Sequence, residues 1–379
     1  MKYPEFKLEN YLSKREFVAP FNFCASDLES HSMEKIIQMA GNEEKKLWNN
    51  LDLHYTETKG LAQLRQEIAN IYHSSIQSEH ILCFAGAEEG IYSMAHALLK
   101  PNDHAIIITP CYQSLEALPS SICETTNIAL KYSEQWRIDL SRIENAIQKN
   151  TKLIVINFPH NPTGTLITHE QQKNLVALAR KHNIWIFSDE VYRLLERDPN
   201  QRLPAIASIY EKGLSLSVMS KAYGLAGLRI GWIACQNEEA LEKIAQVKHY
   251  LSICNSAPSE ILSLMALRSK EKIFERNKQL MNRNLQLLEL FFEEYSEWFE
   301  WVPPQGGCIA YPLFKGETSI DVIADELLNQ KGVLILPSSI YDHSENHFRI
   351  SFGRSSMPDA LERFIEYIDQ NKKKWKKSP

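Results

Sequence analysis

The sequence lacks any run of apolar residues close to the ~20 that a membrane-spanning helix requires. Its first residues, Met1 to Phe6, also lack the apolar stretch of a secretory signal peptide. The seven cysteines are scattered, odd in number and free of any Cys-x-x-Cys pair, which argues against a zinc site and for a reducing compartment. We therefore expect a cytoplasmic protein with no membrane partner and no bound metal.

An excess of positive charge is absent as well. The formal net charge of -5 gives no electrostatic reason to expect nucleic acid as a partner. The one basic run, Lys372 to Lys377, lies at the C-terminal end, where a solvated tail is the simplest interpretation. No repeat, low-complexity linker or glycine-rich hinge divides the chain. Because 379 residues exceed the usual size of a single hydrophobic core, we expect two closely packed domains.

Short apolar segments alternate with longer helical patterns, which is typical of helices wound around a mostly parallel sheet. The predicted strands of this sheet are Ile81–Phe84, His104–Ile108, Leu153–Asn157, Ile184–Ser188, Leu214–Met219 and Gly231–Cys235. Helical patterns run from Ile91 to Leu99 and from His169 to His182, and residues 240–300 predict long helices. Two later segments, Gly332–Leu336 and His347–Ser351, predict strands of a smaller α+β domain.

One lysine, Lys221, lies between an apolar strand and a glycine-interrupted turn. An ammonium is costly to bury among Val218, Met219 and Leu225, and desolvation lowers its pKa and makes the amine nucleophilic. Such an amine suits Schiff-base chemistry. The alternative is that Lys221 caps the strand and points into water, and this segment alone leaves both interpretations open.

Further polar residues lie at the ends of predicted strands. Gly86-Ala87-Glu88 opens a helix whose N–H groups could hold a phosphate, although an ordinary strand-to-helix turn would use the same glycine. Asn161 lies in a turn rich in proline and glycine, for which a rigid loop is the alternative. Asp189 ends another strand, where a helix N-cap is the alternative. Because open α/β sheets bind ligands at the carboxyl ends of their strands, these positions favour a site.

Two arginines and a tyrosine are further candidate ligand-binding residues. A guanidinium can bind two oxygens of an anion at once, which makes Arg229 a phosphate candidate and Arg349 a carboxylate candidate. A salt-bridged structural role is the alternative for Arg349. Tyr112 follows the strand that ends near Ile108, and it is either a core residue or an aromatic face for a ligand.

These motifs occur in the order found in the fold-type I pyridoxal-phosphate enzymes, and the chain resembles the class I/II aminotransferases along nearly its whole length. The resemblance implies an aspartate-aminotransferase-like α/β fold: a large domain with a mostly parallel, seven-stranded-type sheet wound by helices, plus a smaller α+β domain. The resemblance implies a large, cofactor-binding domain of residues 46–265 and a small domain of residues 266–379. The N-terminal residues 1–45 would join the small domain. It also implies pyridoxal 5'-phosphate as the cofactor and a homodimer with shared active sites.

The resemblance assigns roles around the cofactor ring. Lys221 would form the Schiff base and then remove the Cα proton, while Asp189 would keep the pyridine nitrogen protonated. Asn161 and Tyr192 would contact the phenolic oxygen, and Tyr112 would stack on the ring. Because Tyr192 lies three residues after Asp189, a helix at this point would place both side chains on one face.

The resemblance also assigns the phosphate contacts. Arg229 and the backbone amides of Gly86-Ala87-Glu88 would bind the phosphate, with the glutamate carboxylates turned away. Tyr55 would reach the phosphate of the neighbouring subunit. Many relatives carry serine or threonine three residues before the lysine, where this chain has Val218. Ser220, with Ser217 as the second choice, would replace that hydroxyl.

The function implied is transfer of an amino group between an L-amino acid and a 2-keto acid, with Arg349 and Asn161 binding the substrate. A lyase that begins with the same proton abstraction stays open as an alternative. A cofactor-binding protein without turnover is the third. No second arginine is marked out for a dicarboxylic substrate. Loops near Asn22–Ser26, Tyr250–Asn255 and Gly306–Cys308 are the expected source of side-chain selectivity.

Overall fold

The computed structural model describes residues 3–72 and 75–376, so that Lys377 of the basic run lies outside the described residues. The helices are α1 (Lys7–Ser13), α2 (Met33–Met39), α3 (Asn42–Asn49), α4 (Ala62–Ala69), α5 (Ala87–Leu98), α6 (Gln113–Ile122), α7 (Leu140–Ala146), α8 (His169–His182), α9 (Ile206–Ile209), α10 (Glu238–Lys248), α11 (Ala257–Arg268), α12 (Lys270–Glu294), α13 (Ile320–Lys331) and α14 (Met357–Asn371). The strands are β1 (Phe21–Asn22), β2 (Ile81–Phe84), β3 (His104–Thr109), β4 (Glu124–Ala129), β5 (Thr151–Asn157), β6 (Trp185–Asp189), β7 (Gly213–Val218), β8 (Gly231–Ala234), β9 (Phe299–Glu300), β10 (Ile309–Ala310), β11 (Leu313–Phe314), β12 (Val333–Leu334), β13 (Leu336–Pro337) and β14 (Phe348–Ser351).

Seven strands form the central sheet in the spatial order β2, β8, β7, β6, β5, β3, β4. β8 runs antiparallel to both of its neighbours, and the other pairs are parallel. Successive residues of β5 pack into different cores: Leu153 shares one with Ile91 of α5, and Ile154 shares the other with Leu175 of α8. This two-sided burial explains the continuous apolar runs of the parallel strands and confirms the predicted α/β fold.

The six strands predicted for this sheet are all present, with ends that differ by at most two residues. β4 is not among the predicted strands, because only one residue of this edge strand is buried and it lacks an apolar run. Gly332–Leu336 is not one strand, contrary to the prediction. β12 pairs with β1, whereas β13 pairs with β14, so Ile335 separates two short strands of different sheets.

The N-terminal segment contacts the C-terminal part of the chain. Phe21 and Asn22 pair in parallel with Val333 and Leu334. In α1, the Tyr11 hydroxyl donates a hydrogen bond of 3.0 Å to the Ile335 carbonyl. The segment before β1 is therefore fixed to the C-terminal part of the chain. Within residues 3–72 and 75–376, no helix combines the length and the apolar character needed to cross a membrane.

Candidate active site

A cavity of about 500 Å³ opens beside the carboxyl ends of β5, β6 and β7. Its lining includes ten residues that the sequence singles out: Ala87, Glu88, Tyr112, Asn161, Asp189, Tyr192, Ser220, Lys221, Arg229 and Arg349. Two others do not line it. Gly86 lies behind the Arg229 guanidinium, and Tyr55 is 83% exposed on the surface.

Lys221 lies three residues beyond β7, and its side chain faces the cavity. Its ammonium donates a hydrogen bond of 2.7 Å to the Ser26 hydroxyl. Burial lowers the pKa of Lys221, an effect that Asp27 opposes and Arg349 reinforces. A lysine in this environment has more of the neutral, nucleophilic amine than a surface lysine has.

Asp189 ends β6 and is 4% exposed. Burial raises the pKa of its carboxyl to about 7, although the Val191 N–H and the charge of Lys221 act in the opposite direction. The Val191 N–H donates to Asp189 Oδ1 at 3.1 Å. A cationic group placed in the cavity beside this carboxyl would favour its ionised form and lower that pKa.

Tyr192 does not lie on a helix, contrary to the prediction, because residues 191–194 form turns after β6. Its ring nevertheless lines the cavity, and its hydroxyl donates a hydrogen bond of 2.6 Å to the Ser26 carbonyl. Burial raises the pKa of this hydroxyl. Ser26 thus contacts both Tyr192 and Lys221, a role that no local sequence signal indicates, because more than 160 residues separate Ser26 from each of them.

Arg349 lies in β14 and is 1% exposed. Its guanidinium donates to the Cys24 carbonyl at 2.8 Å, the Tyr341 hydroxyl at 2.7 Å and Asn161 Oδ1 at 3.3 Å. All three acceptors are neutral, and Nε has no hydrogen-bond partner among the described residues. A buried cation without a counter-ion is costly. The arrangement therefore favours binding of an anion over the salt-bridged structural role.

Tyr341 and Asn157 belong to this arrangement, although neither is among the site residues predicted from the sequence. The Tyr341 hydroxyl donates to Asn161 Oδ1 at 3.2 Å while it accepts from Arg349. Asn157, the last residue of β5, accepts from the Asn161 N–H at 2.9 Å and donates to the Asp189 carbonyl at 2.9 Å. These bonds fix the Asn161 turn relative to β6 and to the buried guanidinium.

The N-terminus of α5 and Arg229 form a second anion-binding arrangement. Gly86 has a φ of +96°, and a Cβ at this position would collide with the Arg229 guanidinium. Arg229 is exposed, and it donates to the Ala226 carbonyl at 3.1 Å. Because the first N–H groups of a helix and a guanidinium both favour anions, this corner suits a phosphate.

The two glutamates of the α5 N-terminus are held by other groups. Glu88 accepts from the Ser114 hydroxyl at 2.7 Å. Glu89 accepts from the Ala85 N–H at 2.6 Å and from the Ser252 N–H at 3.2 Å. Both carboxylates are thus bound to donors outside the first turn of α5, although the Glu88 side chain still lines part of the cavity.

The two serines proposed as phosphate ligands lie in different places. Ser220 is buried at 7% exposure and lines the cavity beside Val218. Ser217 faces a separate small pocket that Tyr72 and Trp232 also line. Ser220 is therefore the serine that can contact a ligand in the cavity.

Tyr112 precedes α6 and is half-buried, so it is not a core residue. Its hydroxyl donates to Glu9 Oε1 at 3.4 Å, and its ring packs against Phe6 at a centroid distance of 5.8 Å. The N-terminal segment therefore packs against this aromatic side chain at the cavity.

The three loops named for selectivity differ in their placement. Cys24, Ala25 and Ser26 line the cavity. Cys308 lies behind them, with its thiol 3.7 Å from the Ser26 carbonyl. Tyr250 is 91% exposed, and its side chain is not part of the cavity lining in this chain.

One group of possible metal ligands lies outside the cavity lining. Ligand atoms of His343, Glu345 and His347 all lie within 4.8 Å of one another. His347 Nε2 is 3.1 Å from Glu345 Oε2, and its Nδ1 is 3.2 Å from the Tyr311 carbonyl. Burial and the neighbouring His343 lower the pKa of His347 to about 4.

Comparison with known proteins places this geometry in context. Residues 19–368 match the family described as aminotransferase class I and II. The chain is 26% identical over 330 residues to an aspartate aminotransferase of Pyrococcus horikoshii, with 84% of each chain covered. It is 27% identical over 328 residues to the putative aminotransferase YugH of Bacillus subtilis, with 83% of each covered. A solved structure of a PLP-dependent aminotransferase from Streptococcus suis 89-1591 superposes with a TM-score of 0.92 at 25% identity, covering 100% of both chains.

Proposed function

The chain belongs to the class I and II aminotransferase family and is a pyridoxal-phosphate-dependent aminotransferase, and from that premise we propose which of its residues carry out the transfer. Its substrates are amino acids and 2-keto acids. The lyase alternative has no support from the relatives, several of which are named as aminotransferases or transaminases.

One observation carries the proposal: a buried guanidinium that has no counter-ion among residues 3–72 and 75–376 faces the same cavity as a lysine with a lowered pKa. The carboxylate of an amino acid would supply the anion that this guanidinium lacks, and the guanidinium would donate hydrogen bonds to both carboxylate oxygens. Bidentate pairing with Arg349 would fix the Cα of the substrate relative to Lys221. Asn161 would contact the same substrate, because its side-chain oxygen already accepts from Arg349.

The residues of the cavity fit each polar part of the cofactor. The α5 N-terminus, Arg229 and Ser220 would bind the phosphate, and the buried Asp189 carboxylate would bind the protonated pyridine nitrogen. When bound, pyridoxal phosphate takes up the electron pair released at Cα and carries the amino group between the two half-reactions. The raised pKa of Asp189 fits this assignment, because a buried carboxyl gains most from a cationic neighbour.

Lys221 would be the covalent attachment point and then the base that removes the proton from Cα. Ser26 would hold Nζ in the cavity through the hydrogen bond that is present here. Tyr192 and Asn161 would contact the phenolic oxygen of the cofactor, and Tyr112 would cover one face of its ring. Tyr192 would have to exchange its hydrogen bond with the Ser26 carbonyl for that contact.

We further propose a homodimer in which Tyr55 reaches the phosphate bound by the neighbouring subunit. Tyr55, Leu53 and Tyr250 are all more than 80% exposed. Their loops adjoin, since the Thr56 hydroxyl donates to the Asn255 carbonyl at 3.2 Å. Adjacent exposed apolar side chains favour a protein–protein interface. A two-fold dimer is the commonest assembly that buries such a surface.

The domain division and the location in the cell are also proposals. We propose that residues 1–45 join a small domain of residues 266–379, with residues 46–265 as the large domain. The parallel pairing of β1 with β12 supports the placement of the N-terminal segment. All seven cysteines are unpaired, which supports a reducing compartment such as the cytoplasm.

The test is a visible spectrum of the purified protein with pyridoxal phosphate, before and after single amino acids, with keto acid and ammonia measured in the same samples. We expect loss of the visible band and one keto acid per subunit, with continuous turnover once a 2-keto acid is supplied. The amino acids tested should include aspartate, because two of the relatives are named aspartate aminotransferase. Continuous ammonia release without an acceptor would instead establish a lyase.

A further inference from the structure

The cations of the cavity all have an assignment within the proposed function, on which this inference rests. Lys221 attaches the cofactor, Arg229 binds its phosphate and Arg349 binds the substrate carboxylate. The fourth cation of the lining, Arg354, donates to Asp27 Oδ1 at 2.8 Å. Among the described lining residues of this chain, no cation is left to bind a second carboxylate, so a dicarboxylic substrate would need a cation from the partner subunit of the proposed homodimer.

Acidic side chains of the lining, in contrast, remain without cations. Glu9, Glu16 and Glu88 all line the cavity. Their hydrogen bonds come from neutral groups: the Tyr112 hydroxyl for Glu9, the Asn22 amide for Glu16 and the Ser114 hydroxyl for Glu88. Within the described part of the chain, no lysine or arginine lies within ion-pair distance of any of the three.

Glu16 is linked to the carboxylate-binding arginine through a chain of hydrogen bonds. Asn22 donates to Glu16 Oε1 at 3.2 Å and accepts from the Cys24 N–H at 3.2 Å. The Cys24 carbonyl in turn accepts from Arg349 at 2.8 Å. Glu16, in the segment between α1 and β1, is therefore connected through β1 and Cys24 to the buried guanidinium, and both residues line the cavity.

We propose that the cavity selects amino acids whose side chains are positively charged, with Glu16 as the main specificity-determining residue and Glu9 assisting it. A substrate held at Arg349 by its carboxylate extends its side chain into a space lined by unpaired carboxylates. A distal guanidinium or ammonium compensates these charges, whereas a distal carboxylate adds a like charge without a partner. Basic L-amino acids are thus preferred over dicarboxylic ones.

Turnover by the holoenzyme tests this proposal with matched substrates. Arginine and citrulline have the same length and nearly the same shape, and only arginine is charged. We expect kcat/KM to be higher for arginine, and Glu16→Gln to lower the arginine-to-citrulline ratio by about tenfold. Glu5→Gln is the control, since Glu5 lies just before α1, as Glu16 lies just after it, but does not line the cavity. This control should leave the ratio unchanged.

Equilibrium binding gives a readout that does not need turnover. The holoenzyme is titrated calorimetrically with 5-guanidinopentanoate and with hexanoate, two carboxylates of which only the first carries a cation. We expect the first to bind more tightly in the wild type, and Glu16→Gln to reduce that difference by about tenfold. The same loss in Glu5→Gln would overturn the assignment to Glu16.

The outcomes distinguish failure of the proposed selectivity from failure of the proposed aminotransferase mechanism. Transamination of citrulline as efficient as that of arginine, or a preference for aspartate, would overturn the selectivity and leave the aminotransferase activity in place. Absence of transamination with every amino acid, in a protein that binds pyridoxal phosphate, would overturn the proposed roles themselves.

Discussion

The two arginines of the cavity that are proposed to bind anions differ in their surroundings. Arg349 is 1% exposed and donates to three neutral acceptors, each fixed by the protein. Arg229 is exposed and lies over Gly86, with one hydrogen bond to the Ala226 carbonyl. The proposed carboxylate site is therefore built from buried groups of one chain, whereas the proposed phosphate site is open to solvent at Arg229.

Substitution of Lys221, which faces the cavity between the two proposed anion sites, has the largest expected effect on turnover. In the proposed mechanism the Lys221 amine attaches the cofactor and then takes the Cα proton. Lys221→Ala deletes this amine, so turnover should fall by at least about a thousandfold. Reversible cofactor binding through Arg229 and Asp189 should survive, measured by equilibrium dialysis. Lys243→Ala, an exposed lysine paired with Glu239, is the control and should retain normal turnover. Normal turnover in Lys221→Ala would contradict the assignment.

Substitution of each arginine tests the comparison directly. Arg349→Gln should lower kcat/KM for the amino acid by about a hundredfold, with little change in cofactor affinity, because a charged hydrogen-bond donor to the substrate is lost. Arg229→Gln should mainly weaken cofactor binding. Steady-state kinetics and cofactor titration of both variants are the measurements. If both variants lose cofactor affinity equally, the two anion sites are not separate.

Asp189 should make the stability of the cofactor-free protein depend on pH. Burial raises its pKa to about 7, above the value of an unfolded chain, so the folded state binds the proton more tightly. This contribution is fully present below the unfolded pKa and is lost as the pH rises towards 7. We expect the free energy of unfolding to fall by roughly 2 to 3 kcal/mol between about pH 5 and pH 8.

Urea unfolding at the two pH values provides the measurement for Asp189. In Asp189→Asn, which cannot titrate at this position, the decrease should be smaller by the amount that Asp189 contributes. Saturation with pyridoxal phosphate should also reduce the decrease, since a cationic ring favours the ionised carboxylate. An identical pH dependence in wild type and variant would show that Asp189 does not carry it.

Most of the fold could be predicted, because the parallel strands are buried on both faces and their apolar runs are continuous. β4 could not, since an edge strand with only one buried residue has no such run. The division of Gly332–Leu336 into two strands depends on β1, which lies some 300 residues earlier in the chain, and no local pattern indicates that pairing.

Prediction of the candidate site is limited in the same way, because local sequence patterns indicate some of its residues and not others. Lys221, Asp189 and Asn161 lie at strand ends, where a local pattern of apolar run and turn marks them. Ser26 and Tyr341 have no such pattern, although one contacts Lys221 and the other contacts Arg349. Their roles depend on contacts between distant parts of the chain, which spacing and composition do not encode.

The smallest expected effect concerns the open side of the phosphate site. If Tyr55 reaches the phosphate bound by the neighbouring subunit, Tyr55→Phe should weaken cofactor affinity by about tenfold through loss of one hydrogen bond to a charged group. Tyr250→Phe, which removes an equally exposed hydroxyl from the adjoining loop, is the matched control. Light scattering should show that both variants remain dimers. Unchanged affinity in Tyr55→Phe would mean that Arg229 and the α5 N-terminus bind the phosphate without Tyr55, and the contrast between the two anion sites would then rest on exposure alone.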